Sequence, residues 1–340
     1  MAKAEAARLH AAMMEIINSK LLSRSVCLAA ELAVADHLRN GAEDVASLAA
    51  KTGTNVDALY RVMRLLAASG IFVERPQRRF ENNPSSEILR SDASGSLRHY
   101  ARWIGSDFHW KMVTGLAYSV KTGKPSLQKD EPQKDPFEIL AEDRIAHQIF
   151  NDAMSGLSAA DAAAIVQAYD FSQFGSVIDV GGGHGTLAMM IARAAPGVRV
   201  RVFDLPGVID GTKKWIEEGR LNGRIEAISG DFFEQVPGPA DLCVLKHIIH
   251  DWDDDLSRRI LTNCRNVLEK GGRILVCEML ITTGPEGIPA KVFDIEMLLG
   301  PGGRERTELE FADLFASAGL KLNRVIATPT PLRLLEAVIA

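Results

Sequence analysis

From about residue 177 onward the chain alternates between two textures, and this alternation limits its fold more than any other feature. "SVIDV", "VRVRVF", "RIEAIS", "DLCVLK" and "RILVCEM" are short apolar runs rich in Val and Ile. Branching at Cβ suits the pleated backbone, and runs this short, bounded by polar stretches, read as buried strands. Stretches of helical spacing separate them at 186–195, 213–218 and 253–269. Strands buried on both faces and joined by helices pack as a parallel, doubly wound α/β sheet. Near the end, "KLNRVIAT", "PTP" and "LRLLEAVIA" read as a closing hairpin, and "TELE" at Thr307–Glu310 as a capping box opening the preceding helix.

The first hundred residues lack this alternation. Leu9, Met13, Ile16, Leu21 and Leu28 recur at near-helical spacing, and Gly41 offers a stop. "VASLAAKTGTNVDALYRVMRLLAASG" gives two short amphipathic helices around "KTGTN", with Thr54 or Asn55 as N-cap. "IFVERPQRRFENNPSSEIL" follows as a two-stranded wing with Arg75 to Arg79 in its turn. The pattern is that of a winged helix. The chain thus divides into a winged-helix domain at 1–100, a mostly helical connector at 101–170 and the α/β domain at 171–340.

A winged helix raises the question of DNA binding. Its second helix offers only Arg61 and Arg64 as basic reach, and acids nearly balance bases over this region. A reader of DNA carries a basic stripe. The whole chain has a net charge of −5, which calls for neither nucleic acid nor an anionic membrane. No apolar run is long enough to span a bilayer, and "MAKAEAARLH" has no apolar signal core. Cys27, Cys243, Cys264 and Cys277 fall in no metal or redox spacing. A cytoplasmic protein with reduced thiols is expected.

"VIDVGGGHGTLAMMIAR" is a strand, a glycine turn and a helix. Its spacing is DxGxGxG, with Gly181, Gly183 and Gly185 following Asp179. It is not the GxGxxG of dinucleotide sites. Glycines let the backbone turn tightly and a ligand approach closely. Asp204 ends the next strand, about twenty residues on, where an acid hydrogen-bonds ribose hydroxyls. Asp231 and Phe232 end the third strand, offering a carboxylate for an exocyclic amine and a ring to stack on a base. Lys246 ends the fourth. All lie on the carboxyl edge of the sheet, where open α/β sheets bind ligands. Together they read as a nucleoside site.

"KHIIHDWDDD" at 246–255 poses a separate question. A zinc site needs a third and fourth ligand at defined spacing, which this stretch does not supply. The alternating aspartates fail as a calcium loop, because Leu256 stands at the glycine position. No metal is expected. The aspartates suit the start of a helix, and His247 reads as a packing residue.

The set "VIDVGGGHG", "FDLP", "GDFF", "KHIIHDWDD", "ILTNCRNVL" and "GPGGRERTELEF", in that order, resembles the class I S-adenosylmethionine-dependent methyltransferases. Within these the chain resembles the small-molecule O-methyltransferases of the caffeate and acetylserotonin type, including their bacterial natural-product branch. The resemblance covers nearly the whole chain. It implies a Rossmann-like, doubly wound, seven-stranded methyltransferase sheet behind a mainly helical winged-helix domain that makes a homodimer.

It also implies roles. S-adenosylmethionine would be held by Gly181, Gly183, Asp204, Leu205, Asp231, Phe232 and Lys246, with Ser158 nearby. His250 would be the base, flanked by Glu278 and Glu305, which orient its ring and stabilise the imidazolium. An ordinary imidazole, with a pKa of about 6.5, suits that task. Glu278 ends a strongly apolar strand, an unusual place for an acid. Phe150, Asn151, Met154, Met297, Trp103, Phe108, Trp110 and Asp251 would face the acceptor. Where plant members carry a polar pair before "PGG", this chain has "LLG", which implies a more apolar acceptor. The expected reaction is metal-independent methylation of a hydroxyl on a small aromatic or polyketide-like molecule. N- or C-methylation, hydroxylation and decarboxylation on the same fold stay open.

Overall fold

The computed structural model describes residues 2–219, 221 and 223–340. Packing divides the chain into two units: residues up to Lys111 with Ala141–Leu157, and Met112–Leu140 with Ser158–Ala340. The 101–170 segment read as one connector is therefore shared between the units. Residues near 112–140 join the second because Ser126 Oγ donates to the carbonyls of Met112 and Leu299, at 2.7 and 3.1 Å.

In the first unit, Ala2–Glu31 is one long helix. Asp44 caps the helix Val45–Thr52 by accepting from the Ser47 N–H, and Asn55 caps Val56–Ala68 by accepting from the Ala58 N–H. Such caps satisfy N–H groups that have no partner within the helix. Strands β1 (Glu43–Asp44), β2 (Phe72–Arg75) and β3 (Arg79–Asn82) form a small antiparallel sheet in the order β1-β3-β2. Leu48, Met63, Leu66, Phe72 and Phe80 are its buried centre. The wing arginines are already paired, Arg75 with Glu81 and Arg78 with Asp57.

The second unit is built on a seven-stranded sheet of β4 (Ser176–Val180), β5 (Arg199–Asp204), β6 (Ile225–Ser229), β7 (Ala240–Lys246), β8 (Leu268–Met279), β9 (Leu320–Ala327) and β10 (Leu332–Ile339). The order is β6-β5-β4-β7-β8-β10-β9. β4 to β8 pair in parallel, whereas β10 runs antiparallel to both β8 and β9. Alternate residues feed opposite cores, as the two-residue period of a strand requires. Val177, Val200, Leu242, Leu275 and Cys277 pack on one face, and Ile178, Phe203, Cys243, Ile274 and Val276 on the other. Thr307 and Glu310 form the expected capping box. Order reverses between β4 and β7, so the carboxyl ends of these strands open a crevice where a ligand can bind.

Candidate active site

The glycine turn follows β4. Gly181 and Gly183 have φ of 69° and 56°, in the left-handed region. A Cβ on Gly181 would lie 2.3 Å from the Ile248 side chain, so backbone conformation and space both demand glycine there. A Cβ on Gly183 would meet nothing, and conformation alone selects that residue. Asp204, at the end of β5, accepts the N–H of Gly183 at 2.8 Å and of Leu205 at 2.7 Å. Burial pushes the Asp204 carboxyl up, and these two N–H groups pull it back. The residue read as a ribose ligand thus shapes the loop.

Asp179 is buried below the turn, and its Oδ2 has no hydrogen-bond partner among the described residues. Burial pushes it up to about 7, opposed by Lys246 at the end of β7. Asp231 accepts the Phe233 N–H at 2.7 Å. The Phe232 ring packs edge-on against Phe233 and Trp252. Leu205 opens the next helix with its side chain exposed, and Ser158 is half-buried on the helix Arg144–Ala168. The glycine cradle, acids at successive strand ends and an aromatic ring fit a nucleoside.

His250 sits just past β7, in the single turn Ile249–Asp251. Glu278, on β8, fixes that turn. Its Oε1 accepts the backbone N–H groups of Ile248, Ile249 and His250 at 3.1, 3.0 and 3.3 Å. His250 Nδ1 lies 2.8 Å from Glu305 Oε1 and 3.3 Å from Glu278 Oε2. Asp251 Oδ1 is 3.6 Å from Nε2. Glu305 is held in turn, since its N–H donates to Asp294 at 2.9 Å. Arg306, 1% exposed, donates to Asp254 and to the carbonyls of Ile249 and Trp252. Gly303 lets the two segments cross, because a Cβ there would fall 2.0 Å from the His250 carbonyl oxygen.

The electrostatics depart from the expectation of an ordinary imidazole. Burial pushes His250 down, yet Glu278, Asp251 and Glu305 more than reverse it, and the ring stands at about 10. Burial raises Asp251 to about 6 and also raises Glu305. Glu278 is lower than usual despite its burial, because His250 and His247 face it.

His247 is more than a packing residue. Its Nε2 lies 3.1 Å from Asp161 Oδ2, its Nδ1 lies 3.4 Å from Glu278 Oε2, and its ring stacks on His250 at 5.1 Å. A ligand-type atom from each of His247, His250 and Glu278 lies within 4.8 Å of the others, although spacing had argued against a metal here. Of these groups, His247 Nε2 is hydrogen-bonded to Asp161 and His250 Nδ1 to Glu305. Asp161, Asp294, Gly303 and Arg306 went unread in the sequence. The signals were there to find: an acid alone among alanines in "SAADAAAIV", and an arginine in "RERT".

The residues read as facing the acceptor divide between the units. In the first unit Trp103, 7% exposed, meets Phe150 edge-on at 5.1 Å and Phe108 at 6.0 Å. Asn151 lies 3.4 Å from His147 Nε2, Met154 is half-buried, and the Trp110 indole N–H has no partner among the described residues. In the second unit Met297 is half-buried on the helix Ile288–Leu299, and Asp251 adjoins His250.

A doubly wound sheet with this strand order and this carboxyl edge is that of a methyltransferase. Residues 114–321 match the O-methyltransferase domain, and residues 14–92 the O-methyltransferase dimerisation domain. The chain is 35% identical over 335 residues to phenazine O-methyltransferase PhzM of Lysobacter antibioticus, covering 98% of each chain. It is similar to the solved structure of the mitomycin 7-O-methyltransferase MmcR, with a TM-score of 0.91 and 32% identity over 99% of this chain and 100% of that one. It is also 33% identical over 301 residues to aclacinomycin 10-hydroxylase RdmB of Streptomyces purpurascens, covering 87% of this chain and 80% of that protein. The chain belongs to the O-methyltransferase family, and the similar O-methyltransferase NcsB1 from neocarzinostatin biosynthesis, 30% identical with a TM-score of 0.80 over 94% of this chain and 96% of that one, is solved in complex with S-adenosylmethionine.

Proposed function

We propose that the protein methylates a hydroxyl on a small aromatic or polyketide-like natural product, with His250 as general base. The observation that carries this is the pairing of His250 Nδ1 with Glu305 at 2.8 Å, beside Glu278. That pairing fixes the ring and leaves Nε2 as the atom able to take a proton. S-adenosylmethionine supplies an electrophilic methyl on a sulfonium. Gly181, Gly183, Asp204, Leu205, Asp231, Phe232, Lys246 and Ser158 are the residues proposed to hold it. Trp103, Phe108, Trp110, Phe150, Asn151, Met154, Asp251 and Met297 are proposed to bind the acceptor.

His250 accepts a proton only when its own is absent, and its proton is held up to about 10. Turnover should therefore rise with pH through neutrality and into the alkaline range. The reaction is proposed to need no metal, and full activity in EDTA is the expected result. Cytoplasmic location and homodimerisation through the first unit complete the reading. The four free cysteines and the match to a dimerisation domain support them.

Release of S-adenosylhomocysteine against a panel of phenols, anilines and carbon nucleophiles tests the reaction class. Release with phenols supports the proposal. Oxygen incorporation without such release would instead favour the hydroxylase reading that the likeness to RdmB brings in.

A further inference from the structure

His247 has a left-handed backbone, with φ of 54°, a costly conformation for a residue with a side chain. The strain aims its ring between two carboxylates. Nε2 meets Asp161 at 3.1 Å and Nδ1 meets Glu278 at 3.4 Å. Among the described residues Nδ1 makes no hydrogen bond, yet it lies within ion-pair range of Glu278 Oε2. A neutral ring donating from Nε2 to Asp161 would turn its Nδ1 lone pair towards that carboxylate, and protonation there replaces repulsion with attraction. Glu278 Oε2, which Nδ1 of His247 faces, is also 3.3 Å from Nδ1 of His250.

We propose that His247 is a standing imidazolium, held by Asp161, which shares Glu278 with His250 and keeps His250 able to lose its proton. It is a positioning residue for the base. The proposal takes its catalytic meaning from the reading of His250 given above. The charged groups around His247 are Asp161 on the helix Arg144–Ala168, Glu278 on β8 and the adjoining Lys246. Around His250 they are Glu278, Asp251 and Glu305. Three carboxylates around one buried base raise its hold on the proton, and without an opposing cation the base would be freed only at still higher pH. A fixed cation whose ring is 5.1 Å away offsets part of that field. Burial pushes His247 itself down, but Asp161 and Glu278 leave it raised, in keeping with a charged ring.

The test is 15N NMR of histidine-labelled enzyme with S-adenosylhomocysteine bound, followed across pH. His247 should show two protonated nitrogens at neutral pH. The His250 titration should move up by about one pH unit or more in His247→Gln, as expected for loss of a unit charge at this range. Asp161→Asn, which leaves the ring in place, should move it the same way, and Asp161→Glu should largely restore it. The rising limb of kcat should follow these shifts. A neutral His247, or a His250 titration unmoved in both Gln and Asn variants, would overturn the proposal. These signals are read without turnover. If His250→Ala proved fully active, the base reading would fall while the NMR result still decided the state of His247.

Discussion

In the proposed mechanism Glu278 serves structure and chemistry together. One oxygen gathers three backbone N–H groups and so sets the turn that carries His250, while the other faces both histidines. Its position stood out in the sequence because an acid at the end of an apolar strand is unusual. The Asp161–His247 contact was not legible, because it joins residues 86 apart and depends on how one helix is rotated against the sheet. How far His250 is raised was not legible for the same reason: the field of three carboxylates exists only after folding. At the glycine turn, Gly181→Ala would force a Cβ into Ile248, two residues from His250, and impose left-handed strain on alanine. Affinity for S-adenosylhomocysteine should fall by about tenfold or more, equivalent to roughly 1.4 kcal/mol. Calorimetric titration measures it, and unchanged affinity would remove the turn from the cofactor site.

Among the elements, the strands were readable because Val- and Ile-rich runs between helices have few other ways to pack. The acids at their ends fell on one edge because parallel strands share one direction. Less readable was the buried anchor on β10. Glu336 accepts from Tyr169 at 2.6 Å, from Arg273 at 2.9 Å, from Asn323 at 2.6 Å and from Arg324 at 3.0 Å, tying β8, β9 and β10 to the end of a helix. Burial pushes its carboxyl up, but these donors hold it at about 2. Because the folded value lies below the unfolded value of about 4.3, the stabilisation is fully present above that pH and is lost as pH falls towards 2. Thermal unfolding should show a marked drop in midpoint between about pH 5 and pH 2. Glu336→Gln should lower the midpoint at neutral pH and flatten that dependence. An unaltered slope would mean other carboxylates govern acid stability.

At the scale of the whole molecule, the winged-helix pattern was legible in the sequence, and the DNA-binding reading was weak from the outset for want of basic charge. What single-chain periodicity could not show is that the long first helix keeps a large apolar surface outside its own unit. Leu9, Met13, Ile16, Ile17 and Leu21 are 55–66% exposed. Exposed apolar area of this kind marks an interaction surface, and a second copy is the proposed occupant. Met13→Lys with Ile16→Glu should convert the dimer to a monomer by light scattering, and a persistent dimer would place the interface elsewhere. The central claim, that His250 removes the acceptor's proton, is tested most directly by kcat across pH for wild type and His250→Ala on a confirmed hydroxyl acceptor. The account predicts that wild-type kcat rises with pH, and that the variant loses about 10²- to 10⁴-fold and the rising limb with it. A variant that kept near-full turnover at neutral pH would contradict it.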